Sequence, residues 1–114
     1  VFWSHAVATG RISPERFVAL SSTNPAKIFG LYPKKGSIQP GSDADIAIWD
    51  PNLEVKYGVN TAQHRTDYNL YEGWKLKGFP ITVLQRGSIL VDRGQWFGKP
   101  GQGQFLSRLS GEVL

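Results

Sequence analysis

The chain has 114 residues, 40% of them hydrophobic and 19% charged, which suits one small globular domain with its own core and argues against disorder. It has no cysteine, so a disulfide framework and a thiolate metal site are excluded, and a reducing compartment fits. The net charge is +4 with a pI near 9.6, but only Lys34 and Lys35 are adjacent and no basic stripe interleaves with aromatics, so a nucleic-acid footprint is absent.

No apolar run approaches the roughly 18 residues that a membrane span needs, and no charged-then-apolar signal segment opens the chain. Methionine is absent altogether, weak support for reading the chain as a fragment.

Phe2 to Ala8 reads as the end of a helix stopped at Gly10. Ser13-Pro14 is a helix start, with Ser as the cap and Pro at the first helical position. Phe17, Val18 and Leu20 supply an apolar face over residues 14–22. Thr23-Asn24-Pro25 is expected to end that helix and begin another short one, closed by a left-handed cap at Gly30. The first thirty residues therefore read as two or three short helices.

Residues 33–41 form a loop with turn signals at Pro40-Gly41. The period then changes to two: Ala44, Ile46 and Ile48 share one face, and Asp45, Ala47 and Trp49 the other. This reads as a short strand closed by Asp50-Pro51, with a second strand from Glu54 to Val59. Residues 60–80 read as irregular. Ile81–Gln85 and Ile89–Val91 form a hairpin around Arg86-Gly87-Ser88, Gln95–Phe97 adds a short strand, and the tail from Gly98 is extended. So few strands leave open edges, again the mark of a fragment.

Three segments carry a family resemblance. Asn24-Pro25-Ala26-Lys27-Ile28-Phe29-Gly30-Leu31, followed by Lys35-Gly36-Ser37-Ile38 and Gly41-Ser42-Asp43-Ala44-Asp45, resembles the return from catalytic barrel to β-sandwich in the amidohydrolase superfamily. Thr66-Asp67-Tyr68-Asn69-Leu70-Tyr71-Glu72-Gly73, with Gly78-Phe79-Pro80 and the strand into Gly87, resembles the hydantoinase and dihydropyrimidinase group. Gly98-Lys99-Pro100-Gly101-Gln102-Gly103-Gln104-Phe105 resembles the tail of bacterial D-hydantoinases.

The resemblance implies an α+β fragment: C-terminal helices of a TIM (β/α)8 barrel in residues 1–32, the C-terminal strands of a small β-sandwich in 33–97, and an extended tail in 98–114. It implies a parent hydrolase that opens cyclic amide or ureide rings at a C–N bond. That parent uses two divalent metal ions, usually zinc, with a carboxylated lysine. It would be cytoplasmic and a homo-oligomer, and this segment's partners would be the rest of the parent chain, its barrel and N-terminal sandwich strands. No catalytic, substrate-binding or metal-ligating residue carries over, so the segment alone is expected to be inactive. The alternatives are a non-catalytic adaptor of the same fold, like the collapsin-response relatives, and a free-standing β-rich binding module.

The resemblance also suggests roles. Gly30, Gly41, Gly73 and Gly87 mark positive φ or close approach. Asp45 accepts backbone hydrogen bonds at a turn. Tyr68, Tyr71 and Trp74 pack sandwich against barrel.

The remaining candidate sites are thin. His5 and His64 lack partners at ligand spacing. Asp43, Asp45 and Asp50 could suit a hard cation, but turn capping is the better account. Gly98 to Gly103 lacks the Gly-Lys-Ser/Thr of a phosphate loop, and Ser21 and Ser22 have no adjacent base. Phe2, Trp3, Trp96, Phe97 and Phe105 suit either packing within the chain or an oligomer contact.

Overall fold

The computed structural model describes residues 1–112. A π-helical turn, Trp3–Val7, opens the chain and ends at Gly10, whose φ is 74°. Ser13 then caps the next helix: its hydroxyl accepts the Arg16 amide at 3.2 Å, and Pro14 occupies the first turn, where no N–H is needed.

The break expected at Thr23-Asn24-Pro25 does not occur. Helix α1 (Pro14–Val18) runs through a π-helical segment (Ala19–Thr23) directly into helix α2 (Asn24–Ile28), a continuous 15-residue helix. The π segment is why a proline is tolerated here. In a regular helix the Pro25 ring would strike the carbonyl four residues back and leave it without a donor. The wider turn, in which the Asn24 amide reaches the Ala19 carbonyl, carries the chain past that conflict.

The helix ends as expected at Gly30, φ 67°. The Gly30 amide bonds the Lys27 carbonyl at 3.0 Å and the Leu31 amide bonds that of Ala26 at 2.8 Å, the paired closure of a Schellman motif. The loop that follows folds on itself: Ser37 and Ser42 donate to the Pro33 carbonyl, and Thr23 Oγ1 pins the Gly36 carbonyl at 2.8 Å. Gly41, Gly73 and Gly87 also have positive φ.

Strands β1 (Ile46–Lys56), β2 (Lys75–Gln85), β3 (Ser88–Asp92) and β4 (Gln95–Trp96) form one antiparallel sheet in the order β1-β2-β3-β4. The two strands expected on either side of Asp50-Pro51 are one strand with an irregularity. Asp50 Oδ1 accepts the amides of Asn52 and Leu53 at 2.9 and 3.2 Å, so the proline turns the chain locally and the ladder resumes at Glu54↔Lys77. β2 starts at Lys75, inside the stretch expected to be irregular. Gly78, at φ 81°, interrupts the alternation there and hides the strand from a period-two reading.

Both hairpins use the same turn. Arg86 and Gly87 have φ of 45° and 81°, as do Arg93 and Gly94, which gives the type I′ twist that matches flanking strands.

The helical layer meets the sheet through aromatics. Trp3 stacks on Trp49 at 4.9 Å and meets Phe17 edge-on at 5.2 Å, with Phe2 beyond Phe17 at 5.1 Å. Trp3 also covers Gly78, where a Cβ would lie 2.1 Å from its indole nitrogen. The buried Ser4 hydroxyl accepts the Lys77 amide at 3.0 Å and fixes the N-terminal turn to β2.

Among the described residues few apolar side chains are buried: Leu76 in β2, with Ala6 and Ala26 in the helical layer. The radius of gyration is 15.4 Å, against about 13 Å for a compact domain of this length. The sheet keeps an open apolar groove of about 750 Å³ lined by Leu53, Val55, Phe79, Ile81, Val83 and Val91 among others.

Candidate functional site

A connected polar group lies where the loop after α2 meets the first hairpin. Lys35, whose side chain is only 17% exposed, is ion-paired with Asp43 at 2.9 Å and with Asp45. Asp45 Oδ1 accepts the Arg86 amide at 2.8 Å, and beside it the Gly87 amide bonds the Ala44 carbonyl at 3.0 Å. The Arg86 guanidinium in turn donates to the Gln102 carbonyl. Loop, hairpin turn and tail are thus tied at one point.

Burial pushes the Asp45 carboxyl up, but the hydrogen bonds from Lys35 and the Arg86 amide outweigh it and leave it below its ordinary value. Burial likewise pushes the Lys35 ammonium down, and its bonds to Asp45 and Asp43 reverse that and hold it above the ordinary lysine value. Both shifts favour the charged pair.

Asp45 therefore has the turn-accepting role expected of it. The sequence marks Lys35 only as part of a family segment and Arg86 only as a hairpin residue, and predicts no pairing of either with Asp45. The available signal was a lysine just ahead of two aspartates in a glycine-bounded loop, which needed the loop's fold to become a pair.

The other candidate residues are not brought together. His5 lies against Trp74 at 5.2 Å, and Trp74 meets Tyr71 edge-on at the same distance; Tyr68, Tyr71 and Trp74 all keep exposed surface, Tyr68 the most. His64 Nδ1 is 2.7 Å from Thr66 Oγ1 and its Nε2 is 3.4 Å from Asn69 Nδ2. Asp50 is engaged by its own turn, the Ser21 hydroxyl donates to the Phe17 carbonyl at 2.7 Å, and within 98–103 the Lys99 amide donates to Gln102 Oε1 at 2.7 Å. Of the aromatics, Trp3 packs within the chain, Phe2 touches Phe17 yet stays half exposed, and Trp96, Phe97 and Phe105 are exposed.

A dinuclear metal centre does not fit these residues. Among the described residues no three of His, Cys, Asp and Glu group closely enough to hold a metal ion. Asp43 and Asp45 do converge, but a lysine ammonium sits between them and no histidine joins them.

The amidohydrolase family profile matches residues 2–90. The chain belongs to the amidohydrolase family. It is 50% identical over 102 residues to a D-hydantoinase of Ralstonia pickettii, covering 90% of this chain and 22% of that protein. It is 42% identical to a dihydropyrimidinase of Rattus norvegicus over 95% of this chain and 21% of that protein. The solved dihydropyrimidinase from Brevibacillus agri NCHU1002 matches with a TM-score of 0.93 at 39% identity, over 99% of this chain and 24% of that one.

The chain thus spans between a fifth and a quarter of the length of these relatives. The amidohydrolase match takes in the helix, the ion-paired loop and the sheet into β3, and the match to the Brevibacillus agri structure covers nearly all the rest.

Proposed function

We propose that this chain is the C-terminal structural part of a metal-dependent hydrolase that opens hydantoin- or dihydropyrimidine-type rings at a C–N bond. In this reading residues 1–32 are the last helices of the catalytic barrel, 33–97 the sandwich strands with their connecting loop, and 98–114 the tail. The observation that carries it is the 50% identity to a D-hydantoinase along 90% of the chain.

Two divalent ions, zinc by preference, and a carboxylated lysine belong in this reading to the rest of the parent, because the side chains described here do not form such a centre. The open groove on β1–β3 is where the N-terminal sandwich strands would pack, and the parent would be a cytoplasmic homo-oligomer. The Lys35–Asp43–Asp45–Arg86 group then fastens the barrel's last helix to the sandwich.

The test is a ring-opening assay on hydantoin and dihydrouracil, with zinc, of both the full-length protein and residues 1–114 alone. The expected result is metal-dependent turnover by the full-length protein and none by the segment. Turnover by the segment overturns the structural role. A full-length protein that binds no metal and opens neither ring points instead to a non-catalytic adaptor of the same fold.

A further inference from the structure

The last carbonyls of a helix have no partner within it. At the end of α2 two acceptors are met from the far end of the chain: the Lys27 carbonyl, which also takes the Gly30 amide in the helix cap, and the Gly30 carbonyl beyond it. The Glu112 amide donates to the Lys27 carbonyl at 3.0 Å, and just past the helix the Leu109 amide donates to the Gly30 carbonyl at 2.9 Å. Lys27 Nζ stands 3.8 Å from the Glu112 carboxylate.

The backbones approach so closely that each side needs a glycine. A Cβ on Gly30 would lie 1.9 Å from the Leu109 carbonyl oxygen, and one on Gly111 would lie 2.0 Å from that of Ile28. Gly30 also needs its left-handed φ for the helix cap. Gly111 is not left-handed, so its own conformation makes no such demand and only the contact does.

We propose that residues 107–112 act as a strap that clamps the end of α2 and so holds the start of the ion-paired loop. Gly30 leads directly into that loop, which carries Lys35, and the strap's upstream chain is itself anchored by Arg86 at the Gln102 carbonyl. The two backbone hydrogen bonds carry the clamp. The Lys27–Glu112 pair is too exposed to add much.

Amide hydrogen–deuterium exchange on the full chain tests this, with Gly111→Ala as the probe and Gly103→Ala as the control. A Cβ on Gly103 would meet nothing within 4 Å. The Leu109 and Glu112 amides are expected to be protected independently of protein concentration. Gly111→Ala should speed their exchange about tenfold, while Gly103→Ala leaves it unchanged and the β2 amides stay protected in all three proteins. Free-peptide exchange rates in the parent sequence, protection that rises with concentration, or a Gly111→Ala protein as protected as the parent sequence would each overturn the strap.

Discussion

The Asp45 carboxylate accepts the Arg86 amide at 2.8 Å across 41 positions of sequence. That bond supports a turn in which a non-glycine residue holds a φ of 45°, a conformation with a modest cost of its own. Asp45→Ala removes the acceptor and leaves Lys35 with Asp43 alone. The expected loss is about 0.5–1.5 kcal/mol of stability, read by urea denaturation. Asp45→Asn keeps an acceptor for the amide and should lose less. Equal losses in the two variants would show that the charge, not the turn bond, matters.

The same group sets a pH dependence. The Asp45 carboxyl is lowered from its ordinary value of 3.8 in the folded chain. Its contribution is therefore complete above that value and lost as pH falls through the lower folded one. Lys35 is raised from 10.5, so its contribution is complete below 10.5 and lost as pH rises past it. Asp45→Asn should flatten the acid limb of a stability–pH profile below about pH 4 and weaken the alkaline limb. An unchanged acid limb would remove Asp45 from this account.

Gly78 carries both a left-handed φ and the face of Trp3. Gly78→Ala sets a Cβ into the indole and forces an unfavourable backbone. The expected cost is about 2 kcal/mol or more, with altered tryptophan fluorescence as the packing on Trp49 shifts. Wild-type stability and emission in this variant would mean that the N-terminal turn does not rest on β2.

Ser4→Ala separates the polar contact from the aromatic one. It leaves the Lys77 amide without its acceptor in a partly buried position, expected to cost about 1–2 kcal/mol. Slowed or unchanged exchange at the Lys77 amide would contradict this.

The open groove on the sheet should be visible in solution. Residues 1–114 alone are expected to bind an apolar dye such as anilinonaphthalene sulfonate and to associate on size exclusion, as exposed apolar faces do. A sharp cooperative melt of a dye-silent monomer would favour a free-standing binding module.

What could be read from the sequence was what local chemistry decides. Ser13-Pro14 as a helix start, Gly30 as its end, the hairpin at Arg86-Gly87 and the acceptor role of Asp45 each rest on a few neighbouring residues, and each is found. The change of period after Gly41 separated helices from strands, and the α+β character that the family resemblance implied is found. What failed depended on distant partners or on an irregularity inside an element. Pro25 signals a break unless a π segment precedes it. Asp50-Pro51 signals a strand end unless the ladder resumes beyond it. Gly78 disguises β2 because what explains it is Trp3, 75 positions earlier. The Lys35 pair was invisible for the same reason, since its worth depends on a turn formed by residues 86 and 87.

The π segment at Ala19–Thr23 has one more consequence. It admits an extra residue to the turn, and each residue rotates a helix by about 100°. The direction in which Ala26 and Lys27 leave the helix is therefore set by a count of residues, not by their identities. Substitutions along Ala19–Ser22 can be absorbed locally, whereas Thr23 also holds the Gly36 carbonyl of the loop. Removing any one of the five would drive the Pro25 ring against the preceding turn, or else swing the Schellman cap, the loop and Lys35 away from the hairpin they meet. Length, at this place in the chain, is the more tightly constrained property.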